Sequence, residues 1–307
     1  MNIFYLTLLI FLFNLIIYLK FNLISKFFSI VDKPDRKLKR HSKPVLLIGG
    51  LIILINFYLI IFFLKLMNVD NSIFEQNFLY GVVILSTLFF IIGLIDDLKN
   101  LKPNLKLLLL TISIIFVIYL FPEMKLDKIK ISFLDKTYYF NEYSSIFIIL
   151  SFLLLANAIN MFDGINLQLI LYSIFVLILF ILKGFIPIFF MLLLISLLFL
   201  SILNFENKIF LGDSGAYFLS SLFGCTFIYQ YKNYDNFLYG DEIFIILLIP
   251  AIDMLRLFIL RIINKKHPFK GDLNHLHHKV ENYVKTKNLT ICLTICLCIF
   301  PGLLIFL

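Results

Sequence analysis

The chain has 307 residues, 61% of them apolar and 15% charged, with a mean hydropathy of +0.99 and a formal charge of +8. No soluble domain of this size carries so apolar a composition, so a secreted enzyme, a disordered regulator and a free cytosolic domain are excluded. In such a chain a basic excess reports orientation in a membrane before it reports nucleic acid, because Lys and Arg accumulate in cytoplasmic loops.

At about 20 residues per crossing, the length holds roughly ten spans and no separate soluble domain. Hydropathy places them near 3–25, 45–67, 78–95, 105–121, 145–160, 167–182, 185–203, 214–231, 243–263 and 289–307. The expected fold is an all-α polytopic integral membrane bundle, a single domain over 1–307, in the lipid bilayer. The first span lacks the basic start and small-residue cleavage site of a signal peptide, so it reads as a retained span. Eighteen Lys and Arg fall on the odd-numbered loops and six on the even ones, which makes the odd loops cytoplasmic and turns both termini outward. All five histidines lie on the odd face. On the other face, KIKISFLDKTYYFNEY alternates well enough for a small external β-hairpin. With no Trp, tyrosines such as Tyr119, Tyr139, Tyr229 and Tyr231 are expected in the outer aromatic belt. The four cysteines read as packing thiols. No inverted repeat is visible.

The first loop, DKPDRKLKRHSKPVLLIGG, holds Arg36, Lys37 and His41 and ends on Gly49 and Gly50, where backbone can approach a neighbour closely. Its cations either mark topology or draw an anionic headgroup or nucleotide phosphate to the surface. The third span ends with Asp96 and Asp97, adjacent carboxylates that repel one another, so a divalent cation, a transferable proton or hydration must offset them. In NAINMFDGINLQ the polar residues Asn157, Asn160, Asp163 and Asn166 recur every third position and should share one side of a helix. Gly212, Asp213, Ser214 and Gly215 open a span whose N-terminal N–H groups suit a phosphate, with Asp213 placed to hold a cation. In the last cytoplasmic segment Pro250 should break the ninth span, and Asp253 and Arg256 follow three apart on one face. There HPFKGDLNHLHH sets Asp272 beside His275, His277 and His278. Zinc competes for such histidines, but no cysteine or second ligand pair accompanies them, and phosphate and sugar contacts are the better expectation.

Together these polar islands resemble the polyprenyl-phosphate N-acetylhexosamine-1-phosphate transferases, or glycosyltransferase family 4. This is the membrane family of the bacterial undecaprenyl-phosphate GlcNAc-1-phosphate transferases and of the lipid I synthase. Five ordered motifs carry the likeness. They are the first loop with Asp32, Pro34, Arg36, Lys37, His41 and the glycine pair; G-x-x-DD at Gly93, Asp96 and Asp97; N-x-x-N-x-x-DG at Asn157, Asn160, Asp163 and Gly164; F-x-GD-x-G at Phe210 to Gly215; and P-x-x-D-x-x-R followed by the histidine run. Three places depart from the pattern. Asn166 stands where many members have a second Asp, with Leu167 where Gly is usual; His41 is one residue further from Asp32; and Ala216 replaces a frequent Ser.

The resemblance implies transfer of GlcNAc-1-phosphate or a close relative from a UDP-N-acetylhexosamine to undecaprenyl phosphate, with UMP released, initiating cell-surface glycan synthesis such as O-antigen. It implies Mg²⁺, with Mn²⁺ second, held by Asp213 with Asp163. Asp96, Asp97 and Asp163 would be catalytic. Arg36, Lys37, His41, Asn157, Asn160, Arg256, Asp272, His275, His277 and His278 would bind substrate. It further implies a cytoplasmic-membrane location with the site facing the cytoplasm, no nucleic-acid partner, and leaves a homodimer open. Lipid I synthase or a modified-sugar transferase is the rival within the class, and a lipid-linked sugar transporter the rival outside it.

Overall fold

The computed structural model describes residues 3–32, 34, 44–69, 74–184, 187–233, 238–266, 268 and 274–303. In chain order the helices are α1 (Ile3–Leu19), α2 (Phe21–Ile24), α3 (Gly49–Leu66), α4 (Gln76–Lys99), α5 (Pro103–Leu120), α6 (Ser144–Phe162), α7 (Gln168–Leu182), α8 (Pro187–Phe205), α9 (Gly212–Asn233), α10 (Gly240–Ile263), α11 (Leu276–Val284) and α12 (Lys287–Leu303). Four short strands lie among the described residues: β1 (Val31–Asp32), β2 (Val45–Leu46), β3 (Lys128–Ile131) and β4 (Lys136–Tyr139). Helix starts and stops follow local chemistry. α5 opens on Pro103, whose missing N–H is no loss in a first turn, and α4 ends where Asn100 turns left-handed at φ 48°.

Six helices are long and apolar enough to cross a membrane, or up to seven if a bent pair counts as one span. The expected first span, 3–25, is that pair, bent by 65° between α1 and the 21–27 segment. α7 and α12 are apolar but shorter, and α9 is too polar to join the six. Large apolar side chains such as Phe4, Leu108, Ile112, Ile259 and Ile263 stand exposed around the bundle, the surface expected of a protein covered by lipid.

α9 is the axis. It packs along α4 and also against α6 and α3, and Ala216, Phe218, Leu219, Leu222 and Phe223 are fully buried. Small residues make this closeness available, as is usual between helices in lipid. A Cβ added at Gly93 would lie 2.5 Å from the Asp213 carbonyl oxygen and from Ser214 backbone atoms, and one at Gly50 would lie 2.5 Å from the Gly215 nitrogen. Away from the site, Asn14 of α1 and Asn56 of α3 exchange reciprocal amide hydrogen bonds of 2.8 and 3.1 Å, both side chains buried. This pair satisfies polar groups that hydrocarbon could not.

Pro250 does not break its helix; α10 runs unbroken through it. The proline leaves the Ile246 carbonyl without its usual helical donor, and the buried Tyr172 of α7 replaces it, its hydroxyl donating at 3.1 Å. We expect Tyr172→Phe, which strands that carbonyl, to destabilise the fold by about 1–3 kcal/mol. Thermal unfolding in detergent should show a lower midpoint, and an unchanged midpoint would refute the pairing.

The hairpin expected between the fourth and fifth spans forms, with Lys128 opposite Tyr139 and Ile131 opposite Lys136. Asp241 at the start of α10 accepts Ser132 Oγ at 2.7 Å and the Ser132 and Phe133 N–H groups at 3.0 Å, which closes its turn. Tyr229, expected in the aromatic belt, is buried instead against Phe74 and Phe78, and the Tyr231 hydroxyl accepts the Lys130 N–H. Cys225 and Cys298 are buried, whereas Cys292 and Cys296 are exposed on α12.

A second small sheet was not expected. β1 and β2 pair antiparallel, Leu46 bridges Ile209 in parallel, and the Phe210 N–H donates to the Leu46 carbonyl at 2.8 Å. The Gly49 and Gly50 N–H groups then donate to the Phe210 and Leu211 carbonyls at 3.1 and 3.0 Å. The stem of the first loop is thereby stitched to the segment that leads into α9.

Candidate active site

Four carboxylates from three helix ends meet beside this stitched segment, and each is held differently. Asp96, 2% exposed, accepts the Leu101 N–H at 2.8 Å and forms an ion pair with Lys106 in the first turn of α5. The Lys106 ammonium also lies 3.5 Å from Asp213 Oδ2. Asp97 faces the start of α9, where its two oxygens accept the Asp213 and Ser214 N–H groups at 2.8 and 3.1 Å. Gly212 is left-handed at φ 77°, and a Cβ there would fall 2.6 Å from Asp97 Oδ2, so glycine alone fits this turn. The N–H groups expected to await a phosphate at this helix N-terminus are therefore given to Asp97, an anion the positive end of the helix equally favours.

Asp213 is steered by Asn160 of α6, whose amide donates to Oδ1 at 2.7 Å. Asp163 follows the last turn of α6 with φ −77° and ψ 59°, already out of the helix. Desolvation, then the facing charges of Asp213 and Asp97, push its carboxyl up to about 8. These groups border a cavity of about 1080 Å³ that also reaches Asn166, Asn204, Asn207, Phe210 and His278. The carboxylates Asp32, Asp96, Asp97, Asp163, Glu206, Asp213 and Glu281 face it, against Lys287 as the lysine among its lining.

Among the described residues, no three His, Cys, Asp or Glu side chains form a metal cage. Mg²⁺ does not need one, since it commonly takes one or two carboxylates and completes its octahedron with water and phosphate oxygens. A cavity this acidic, with Asp163 and Asp213 electrostatically coupled across it, fits that donor set.

The expected stripe on one helix side does not survive beyond Asp163. Asn157 returns its amide to its own helix at the Leu153 carbonyl, 2.7 Å away. Asn166 lies in the following loop and donates to Asn207 Oδ1 at 2.6 Å and to the Asn204 carbonyl at 3.1 Å. Leu167, where a glycine is usual in the resembling enzymes, sits left-handed at φ 69°. Of the histidines, His278 lines the cavity, and the His277 ring presses so closely on Gly164 that no Cβ could be added there. His275 stacks on His277 with centroids 5.3 Å apart. Arg256 does not line the cavity; it donates to Asp253 and to the Asn274 carbonyl, each at 2.6 Å. Arg36, Lys37, His41 and Asp272 lie outside the described residues.

Two site residues were missed by sequence reasoning. Lys106 was read only as a topological charge, although a helix starting at Pro103 turns it back toward the Asp pair. Asn204, 3% exposed, accepts the Leu167 N–H at 2.6 Å and donates to the Ile209 carbonyl at 2.7 Å. It joins the Asp163 loop to the segment before Asp213, and its only signal was a polar residue at the end of an apolar helix.

Residues 79–231 match the model of glycosyl transferase family 4. The match takes in Asp96, Asp97, Asn160, Asp163 and Asp213 and stops before α10 and the histidines. The chain is 27% identical over 259 residues to a Bacillus subtilis (strain 168) protein described as a probable undecaprenyl-phosphate N-acetylglucosaminyl 1-phosphate transferase, covering 81% of this chain and 69% of that one. With its apolar helices, its carboxylates gathered at one cavity and this likeness along most of its length, the chain is similar to the transferases of glycosyl transferase family 4 and has the make-up of a multi-pass membrane protein.

Proposed function

We propose that the chain transfers GlcNAc-1-phosphate from UDP-GlcNAc to undecaprenyl phosphate. The observation that carries this reading is the meeting of Asp96, Asp97, Asp163 and Asp213, with Lys106 paired to Asp96 and near Asp213, at one cavity large enough for a nucleotide sugar. A phosphate oxygen of the lipid attacks the β-phosphorus of the donor, the bond to the UMP phosphate breaks, and undecaprenyl diphosphate-GlcNAc and UMP result. Such displacement depends on positioning and on neutralising charge. Mg²⁺, when bound by Asp213 and Asp163, supplies charge neutralisation on the diphosphate. Asn160 orients the Asp213 carboxylate. Asp97 holds the start of α9 in place, and Lys106 balances Asp96 and Asp213 until an anionic substrate arrives.

In this reading α1 with α2, α3 to α10 and α12 cross the bilayer, the cavity opens to the cytoplasm of a bacterial inner membrane, and the β3–β4 hairpin lies outside. The excess of Lys and Arg on the odd loops supports that orientation.

Purified protein given undecaprenyl phosphate, radiolabelled UDP-GlcNAc and Mg²⁺ should release UMP and label lipid, and excess EDTA should reduce the rate at least about 100-fold. Product from UDP-muramyl pentapeptide but none from UDP-GlcNAc would move the chain to the lipid I synthase branch. Full activity in EDTA would remove the metal from the reading.

A further inference from the structure

The carboxylate of Asp253 in α10 is 6% exposed and does not line the cavity, yet three groups converge on it. Arg256 Nη2 donates to Oδ1 at 2.6 Å. The Leu276 N–H reaches both oxygens, at 3.1 and 3.2 Å. His275 Nδ1 stands 3.4 Å from Oδ2. Arg256 then places a second bond on the Asn274 carbonyl at 2.6 Å. Three consecutive residues, Asn274 to Leu276, are thus fastened to α10 by one acid–guanidinium pair.

Leu276 is the first residue of α11, and the helix has no side-chain cap of its own from His275. Its N-terminal cap comes from Asp253, on another helix. α11 has nine residues, too few to hold a helical direction without support. Its far end turns at Lys285, left-handed at φ 62°, directly into α12, so the direction of α12 sets one end and Asp253 the other. Between those supports α11 carries His277 onto the Asp163–Gly164 turn and His278 into the cavity.

We propose that Asp253 is a positioning residue for the histidine wall of the site: it caps α11 from α10 and fixes where His277 and His278 stand over the Asp163 turn. This rests on the transferase reading above. An Asn at this position keeps one acceptor oxygen and loses the charge that holds Arg256 and faces His275, so the clamp should loosen without removal of any group that touches substrate. The carboxylates on α4 and α9 should stay where they are, because the partners described for them lie on α4 to α6, on α9 and at Leu101. The family resemblance puts His277 and His278 on the diphosphate and sugar of the donor, so the effect should fall on the sugar nucleotide.

The test uses the full chain and its Asp253→Asn variant, with steady-state rates measured against each substrate and hydrogen–deuterium exchange followed in peptides covering 274–284 and 212–233. The expected result is a KM for UDP-GlcNAc raised about 10- to 100-fold, a KM for undecaprenyl phosphate unchanged, faster exchange in 274–284 and unaltered exchange in 212–233. If the Asn variant does not accumulate, Arg256→Lys, which cannot bridge Asp253 and Asn274 with one planar group, should give the same pattern in weaker form. An unchanged donor KM with unchanged exchange would overturn the proposal. So would a rise in both KM values with faster exchange over 212–233, since Asp253 would then serve the fold at large. Should wild-type protein turn over neither substrate, the transferase reading falls, while exchange in 274–284 still decides whether Asp253 clamps α11.

Discussion

Asp213→Asn should lower turnover at least about a thousandfold, the loss expected when some 4 kcal/mol of transition-state charge stabilisation is removed. The substitution keeps the shape of the side chain and an oxygen for the Asn160 amide, which now donates at 2.7 Å. What disappears is the negative charge that faces Lys106 at 3.5 Å and would hold a cation beside the diphosphate. The start of α9 should remain in place, since Asp97 binds the backbone N–H of residue 213 and not its side chain. Thermal unfolding should match wild type while UMP release fails, and UMP release within tenfold of wild type would remove Asp213 from the centre of the reaction.

Gly93→Ala should act through geometry, with comparable severity. The new methyl group would meet backbone atoms of Asp213 and Ser214 at 2.5 Å, and no side chain there can swing aside. The two central helices must separate, at a cost of about 1–3 kcal/mol for overpacking. Because Asp97 lies about one turn further along α4, the separation also pulls the Asp97 cap from α9. A displacement near 1 Å is enough for a loss of about 100-fold in rate. Gly81→Ala in the same helix is the control: its nearest neighbour is the Met124 sulfur at 3.1 Å, on a flexible side chain that can yield. If both variants behave alike, close approach at Gly93 is not what sets the site.

The convergence of Asp96, Asp163 and Asp213 was legible because each sits at the end of an apolar stretch, and alternate helix ends lie on one face of a bundle. The parts that were not legible fall where local pattern carries no information about a distant partner. β1 and β2 have two residues each, too few for alternation to show, and Leu46 is further tied to Ile209 of the segment before Asp213 by an isolated bridge. The spacing of Asn157 to Asn166 promised a continuous helix, but Asp163 leaves helical geometry and Asn204 secures the chain beyond it. Pro250 looked like a breaker because the hydroxyl that rescues its helix is 74 residues away at Ile246's partner, Tyr172. Lys106 was counted as a loop charge, although one helical turn was enough to bring it back onto Asp96.

The polarity of α9 bears on how the protein is made. With Gly212, Asp213, Ser214, Ser220, Ser221, Thr226 and Gln230 along its length, this helix is a poor substrate for insertion by its own hydropathy. The helices that enclose it, α3, α4 and α6, all precede it in the chain and are among those apolar enough to cross unaided. Synthesis therefore builds the slot before its occupant. α9 is made only after the helices it packs against, and the two N–H groups at its start meet the Asp97 carboxylate of α4.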